Sequence, residues 1–427
     1  MRFTGAPGGS QQDARPEADV EYEIRSIIDA EFEEFRRCQA LAFGNEFNPE
    51  HLEAGRQIFE AGRSLAAFDH GQIVGTAGIF SYQMTVPGGV SVPAAGVTMV
   101  SVKPTHRRRG ILSGMMGRQL SEVRARGEAL AILWASEAAI YGRFGYGVAT
   151  QMEILRIPHE YRALRDDSVL APGRVRLMPA DEARVALPPA HEAMRPLTPG
   201  ALSRSEKWWE VRIFRDHPDY RGGFGSNNYL VYEEDGSVRG YLIYRRKGDF
   251  ADWIPKGAVL VSECVVEHVR AYAALWRYVL GLDLVSTIEY DIAGSEEPLL
   301  WMLEDARRTE RKRLDAIWLR IVDIEKALSA RHYGAEGRLV FEVRDHFLDG
   351  VGGRFELEAS PGGGVCRRTD AAPAFVLGPE ELANLYLGGG SAGALWRAGR
   401  IRGEERAMAL ADRVFGWHIR PHCQEHF

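Results

Sequence analysis

Cysteine is scarce in this chain. The 427 residues include four, Cys38, Cys264, Cys366 and Cys423, and no two form a C-x-x-C pair. That spacing argues against a zinc knuckle or a thioredoxin-type site, and so few cysteines fit a reducing, cytoplasmic setting. Long apolar runs are missing too. No stretch nears the roughly 18–20 apolar residues of a membrane-spanning helix, so no membrane span is expected. Residues 1–16 carry Gly, Gln, Pro and Asp but no apolar segment of the kind a secretory leader has. Residues 1–20 are read as a disordered N-terminal extension. Positive charge is not in excess. With 53 Lys+Arg against 59 Asp+Glu the formal net charge is -6. A dedicated nucleic-acid binder needs a strongly basic face, so that class is set aside. The mild acidity leaves room for a cationic substrate without demonstrating one.

What is present is ordinary for a soluble globular protein: 45% hydrophobic and 26% charged residues, enough for large cores without metal or disulfide staples. At roughly 150 residues per domain the length implies about three domains. The first is placed at 21–165. Its spacing predicts a helix over Ile24–Phe43, with Ile24, Ile27, Ile28, Phe32 and Leu41 inward. Strands are predicted at Leu65–Phe68 and Gln72–Phe80 around a His70-Gly71 turn, and at Gly96–Val102. A helix runs from Gly110 to about Arg126, stopped by Gly127. Ala129–Ala135 reads as a buried parallel strand. The second domain, 166–312, opens with a Pro/Asp/Gly stretch around Asp166–Gly173. It then has a hairpin, Asn228–Tyr232 and Arg239–Tyr244, about Asp235-Gly236. The strand Val259–Val266 leads into a helix carrying Tyr272, Leu275, Trp276 and Leu280. That strand–helix order echoes residues 65–126 and suggests a duplicated fold. The third domain, 313–427, starts with the strand Ala316–Val322. Strands near Leu339–Val343 and Gly353–Leu357 and helices over Glu380–Tyr386 and Glu404–Phe415 follow. The fold class is α/β and α+β.

The strongest chemical signal lies between Val100 and Leu112. A strand ends, a loop carries Arg107, Arg108 and Arg109, and Gly110 opens a helix. Backbone N–H groups at a helix N-terminus point outward, and the dipole there favours an anion. Gly110 lets the backbone approach closely, and the arginines add charge-assisted bonds. A solvated basic loop contains the same residue types. The acidic total and the strand–glycine–helix order favour a phosphate-bearing small ligand.

A second motif follows the buried strand: Ser136-Glu137, then Ile140-Tyr141-Gly-Arg-Phe-Gly-Tyr146-Gly147. Read alone it is a glycine-rich turn with aromatic packing. The segment Arg107–Leu112 resembles the coenzyme A loop of the GNAT superfamily of N-acetyltransferases, with Leu112 where a small residue is usual. With the tyrosine motif, the chain closely resembles the enhanced intracellular survival (Eis) family. The resemblance spans nearly the whole chain, down to a terminal phenylalanine, Phe427. It implies two tandem GNAT folds, the second lacking the coenzyme loop, followed by a sterol-carrier-like domain.

What the resemblance implies is acetyl-coenzyme A as co-substrate, with no metal. Val100, Ser101 and Val102 would bond the pantetheine through their backbone. Arg108, Arg109, Gly110, Ile111, Leu112 and Ser113 would hold the pyrophosphate, and Ser136 and Glu137 would line the cofactor. Tyr141, preferred to Tyr146, would protonate the leaving thiolate. The α-carboxylate of Phe427 would take the amine's proton. Acceptor-side residues would be Glu46 (its neighbour Asn45 cannot act as an acid), Glu425, and His426, which stands where the family often has an acidic residue.

The resulting expectation is an acetyltransferase for primary amines of polycationic acceptors, aminoglycosides foremost, by direct transfer in a ternary complex. Polyamine or protein-lysine acetylation and a non-catalytic ligand carrier are the alternatives. The family's ring-like hexamers imply a homo-oligomer. His418, His422 and His426 have helix-like spacing, but Pro421 interrupts a helix there, so no metal is expected. Trp208-Trp209 reads as core or interface.

Overall fold

The computed structural model describes residues 22–165 and 172–427. The extension read over 1–20, and the 166–171 part of the loop predicted to open the second domain, lie outside the described residues. No helix among the described residues is long and apolar enough to cross a membrane.

Two seven-stranded sheets carry the first two thirds of the chain. In the first, the strand order is Glu23–Ser26, Leu65–Asp69, Gln72–Val86, Val90–Val102, Leu130–Trp134, Ile317–Ile321, Gly147–Val148. The His70-Gly71 turn has both residues at positive φ, 48° and 79°, the geometry that matches the twist of a tight hairpin. The predicted helix over Ile24–Phe43 is corrected at its start. Glu23–Ser26 pairs with Leu65–Phe68 as an edge strand, and the helix begins at Phe32. Its start is fixed by Glu31, whose carboxylate accepts the Ile28 N–H (3.0 Å) and two bonds from Arg25. The inner row is Phe32, Phe35 and Cys38. Ile28 and Leu41, expected inside, are exposed.

The second sheet has the order Glu310–Asp315, Gln151–Pro158, Val285–Gly294, Gly257–Val266, Ser237–Lys247, Asn228–Glu234, Arg174–Met178. It departs from the expected borders at both ends. Gln151–Pro158, placed in the first domain, pairs with Val285–Gly294 and Glu310–Asp315. The segment Ala316–Val322, placed in the third, puts Ile317–Ile321 into the first sheet between Leu130–Trp134 and Gly147–Val148. All five residues of that strand are buried. An apolar strand reads the same whichever sheet receives it, so the sequence order misassigned both.

In each sheet two parallel strands pair over a short stretch and then part. Val90–Val102 pairs with Leu130–Trp134 only at Ala94–Gly96 opposite Leu130–Ile132. Gly257–Val266 pairs with Val285–Gly294 only at Gly257–Val261 opposite Val285–Tyr290. The duplicated plan is thus visible as two splayed strand pairs.

The last third builds a five-stranded sheet with the order Gly363–Arg368, Gly353–Ser360, Gly337–Val343, Phe375–Leu377, Arg402–Gly403. Helix Pro379–Tyr386 packs on Ile317–Ile321 and Gly147–Val148 of the first sheet, and helix Glu405–Phe415 packs beside the five-stranded sheet. It is tied to the first sheet by the buried ion pair Arg320–Asp345. It is also tied at Gly147, where a Cβ would run into the Glu380 carbonyl oxygen. From there residues 416–427 run back towards the gap between the two sheets.

Candidate active site

The first splay carries a bulge. Thr76 pairs with Ser101 and Gly78 with Thr98, so Met99 and Val100 share one partner. Met99 has φ 51°. The Thr76 hydroxyl donates to the Met99 carbonyl (2.7 Å) and shares a hydrogen bond with Ser101 Oγ (2.6 Å). The Ser101 side chain is thereby engaged inside the sheet, and its backbone is what remains for a ligand. Val100 and Val102 are half-buried beside it. Since the neighbouring strand has diverged, the backbone edge of this segment is open to an extended amide-bearing chain.

The loop that follows has Arg108 and Gly110 at positive φ, 64° and 79°. Arg107 ties it down through the Ala42 carbonyl (3.1 Å), and Arg109 reaches the Tyr22 hydroxyl (3.3 Å). Arg108 is exposed. No side chain caps the helix Ile111–Ala125, so its first N–H groups, those of Ile111, Leu112 and Ser113 among them, face outward. The Ile111 side chain is buried against Gly75 and fixes that end of the helix. Apart from its own chain neighbours, no atom of the described residues lies within 4 Å of where a Cβ on Gly110 would be. An open, uncapped, arginine-flanked helix start fits a pyrophosphate.

Ser136 and Glu137 are exposed just past the strand Leu130–Trp134. They precede the short helix Ala138–Tyr141. Tyr141 is 5% exposed. Burial raises its phenol above the ordinary value, the Ser136 hydroxyl opposes the rise, and Glu137 adds to it. Tyr146, 6.1 Å away between ring centres, is fully enclosed, and its hydroxyl has no partner among the described residues. Burial raises it further, with Arg320 opposing. Of the two, Tyr141 is the one with polar company.

The chain's end enters between the sheets. Gln424 occupies the second splay, where its Oε1 accepts the Cys264 N–H (2.8 Å) and its Nε2 donates to the Cys264 carbonyl (2.9 Å). Glu425, expected to bind substrate, is buried. Its carboxylate pairs with Arg204 and accepts from Trp208 Nε1 (2.8 Å). Arg204 is itself bridged to Glu263 (2.9 Å), so Glu425 belongs to a buried charge network that holds the tail. Trp134 Nε1 donates to the Glu425 carbonyl (2.8 Å), and the Trp134 ring lies against His426 (4.9 Å). Burial, aided by Arg212, holds the His426 imidazole below its ordinary value. Phe427 packs on Tyr82 (5.1 Å between centres), and a Cβ on Gly96 would lie 3.2 Å from its ring. Gly96 is the last residue paired before the strands part. The terminal residue therefore stands at the mouth of the first splay.

Glu46 is exposed and lines a cavity of about 260 Å³ with Arg36, His51 and Tyr220. The histidines of the tail differ in setting: His422 is enclosed, and burial lowers it to about 4. The potential metal ligands His51, His217 and Asp219 lie within 4.8 Å of one another. His51 already bonds Asp219 (3.0 Å), and Arg215 approaches its other ring nitrogen (3.3 Å), which fits a hydrogen-bonded cluster. Sequence reasoning missed Tyr82, Trp134, Arg204 and Gln424. Tyr82, Trp134 and Arg204 meet the tail, and Gln424 anchors it to Cys264, each through a contact between distant segments, and none sits in a motif.

A family pattern described as an acetyltransferase (GNAT) domain matches residues 23–149. A second with that description matches 200–321, and a sterol carrier protein domain matches 324–424. The N-acetyltransferase Eis of Mycobacterium tuberculosis is 33% identical over 380 residues, covering 86% of this chain and 90% of that one. An uncharacterized N-acetyltransferase of Streptomyces avermitilis is 40% identical over 372 residues, covering 85% and 88%. The crystal structure of Eis1 from Mycobacterium abscessus matches with a TM-score of 0.84 at 32% identity, over 95% of this chain and 100% of that one. A GCN5-related N-acetyltransferase from Anabaena variabilis shares the fold, with a TM-score of 0.82 at 18% identity and coverage of 95% and 100%. With two tandem GNAT domains and a sterol-carrier-like domain, this N-acetyltransferase belongs to the Eis family of the GNAT superfamily.

Proposed function

We propose that the protein acetylates a primary amine by direct transfer in a ternary complex with acetyl-coenzyme A. The observation that carries the reading is the position of Phe427 at Gly96, where the splay opens and the bulge of Met99 follows. When bound, acetyl-coenzyme A supplies the activated acetyl thioester. Arg108, Gly110 and the first turn of Ile111–Ala125 hold its pyrophosphate, with Arg109 beside them, and the backbone of Val100–Val102 holds its amides. Ser136 and Glu137 flank the far wall. Backbone N–H groups at the bulge would stabilise negative charge on the thioester oxygen of a bound acetyl-coenzyme A.

An alkylamine is mostly protonated near neutral pH and must lose a proton before it attacks. The α-carboxylate of Phe427 receives that proton, directly or through water. Tyr141 gives a proton to the departing sulfur. At reference values near 10 for tyrosine and 8.5 for a thiol this transfer is uphill by about 2 kcal/mol. The raised phenol of Tyr141 stays protonated through the neutral range and is available as the donor. No step of this reading forms a bond to the enzyme, and neither Cys38 nor Cys423 lies in the loop or tyrosine motifs. Aminoglycosides, polyamines and lysine side chains all offer the primary amine this chemistry requires.

The test is thiol release from acetyl-coenzyme A by untagged protein, with and without a panel of amines. Amine-dependent release is expected. No release with any amine, together with no coenzyme A binding by calorimetry, overturns the reading.

A further inference from the structure

The turn that carries Tyr141 is seated on residues that come much later in the chain. Arg320, on the strand Ile317–Ile321, is fully buried. A Cβ on Gly145 would lie 2.7 Å from its Nη1, and Gly145 has φ 78°. The turn therefore passes directly over the guanidinium, in a conformation and a space that suit glycine. Pro379 closes the same spot, its Cγ also 2.7 Å from that Cβ position. One residue earlier, the Phe144 ring meets Phe347 edge to face, 4.9 Å between centres.

The guanidinium and the Phe347 ring both lead back to one carboxylate. Asp345 pairs with Arg320 through Oδ2, and its Oδ1 accepts the N–H groups of Phe347 and Leu348, both at 3.0 Å. The Asp345 side chain is 1% exposed. One oxygen thus orients the guanidinium under Gly145, and the other folds the loop that places Phe347 against Phe144. Arg320 Nε and Nη1 have no hydrogen-bond partner among the described residues. A buried ion pair satisfied only in part is a poor source of stability, and well-packed apolar residues would serve the core as well. What the pair does supply is a fixed seat for the turn. The grip reaches Tyr141 through the backbone, where the Gly145 N–H bonds the Gly142 carbonyl (2.9 Å) and the Tyr146 N–H bonds the Tyr141 carbonyl (3.3 Å).

We infer that Asp345 and Arg320 are positioning residues for the acid, clamping the turn Gly142–Gly147 so that the Tyr141 hydroxyl meets the departing sulfur. The last part of the chain then governs both proton transfers: Asp345 seats the donor, and Phe427 is the acceptor. The inference rests on the acetyl-transfer reading with Tyr141 as the acid, and adds to it two residues that act through the turn alone.

A double-mutant cycle on the untagged, full-length enzyme tests it. Asp345→Asn keeps an oxygen for the Phe347 and Leu348 N–H groups but turns an amide donor toward the Arg320 donors. Turnover falls about tenfold or more, as a displacement of about 1 Å allows, while the KM for acetyl-coenzyme A is unchanged. In the Tyr141→Phe background the same substitution has almost no further effect, because the group it misplaces is already gone. A purely structural role would lower turnover by the same factor in both backgrounds. If Asp345→Asn fails to fold by circular dichroism, the pair Arg320→Met with Asp345→Asn, which leaves no buried ion unpaired, takes its place in the cycle. Wild-type turnover in Asp345→Asn, or equal factors in the two backgrounds, overturns the clamp and leaves Tyr141 as the acid. A silent Tyr141→Phe overturns the acid assignment itself, and the clamp's part in catalysis with it.

Discussion

The side-chain amide of Gln424 pairs with both backbone groups of Cys264, as a neighbouring strand would. It does so where Gly257–Val266 and Val285–Gly294 have parted. In the first domain the equivalent gap lies open beside the arginine loop. One gap is thus filled by the chain's own tail, and the tail so held delivers Phe427 to the other. Gln424→Ala leaves the N–H and C=O of Cys264 without partners, at about 1–3 kcal/mol. Turnover is expected to fall about tenfold with coenzyme A affinity unchanged. Steady-state kinetics with calorimetry decides it; wild-type turnover would free the position of Phe427 from this anchor.

Tyr141→Phe removes the proposed acid and little volume. The maximal rate should fall by about 10²-fold or more, with a modest change in coenzyme A binding. Tyr146→Phe should be nearly silent, because that hydroxyl has no partner to lose. If the two variants exchange phenotypes, the acid is Tyr146.

Residues added after Phe427 convert its carboxylate to an amide. A short C-terminal extension should abolish turnover and leave the melting temperature close to that of the untagged protein. The buried Arg204–Glu425 pair still holds the tail. An extended enzyme with full activity would remove the terminal carboxylate from the mechanism.

Glu297 offers a pH test independent of turnover. It is buried, bonded to Tyr272 and to the Gly294 N–H, and desolvation raises it from 4.5 to about 7. Between those values the native state keeps a proton that the unfolded chain releases. Its contribution to stability therefore falls as pH rises through that window. Glu297→Gln carries no charge and should gain on the wild type by about 3 kcal/mol between about pH 4 and pH 8. Denaturant unfolding at both pH values measures the difference; a constant difference means the carboxyl titrates normally.

Local pattern made much of this molecule legible. The hairpin at His70-Gly71, the strand into Val102 and the helix after Gly110 each follow from short-range turn chemistry and apolar spacing. The arginine loop before that helix, with Ser136-Glu137 and Ile140–Gly147, carried the family resemblance. Contacts between distant segments were not legible. Ile317–Ile321 has no local mark saying which sheet it joins. Glu425 was placed on the acceptor side because its partners Arg204 and Trp208 lie more than two hundred residues earlier.

The strand Ile317–Ile321 also sets a timetable. It completes a sheet whose other strands all lie before residue 149. At about 5–20 residues per second, synthesis leaves the flank of Leu130–Trp134 uncovered for about 10–40 s. During that interval an apolar strand edge is exposed to other nascent chains. A fragment ending after the first domain would keep that edge permanently, so the catalytic half of this protein is not a separable module but a structure that waits for its second half to close it.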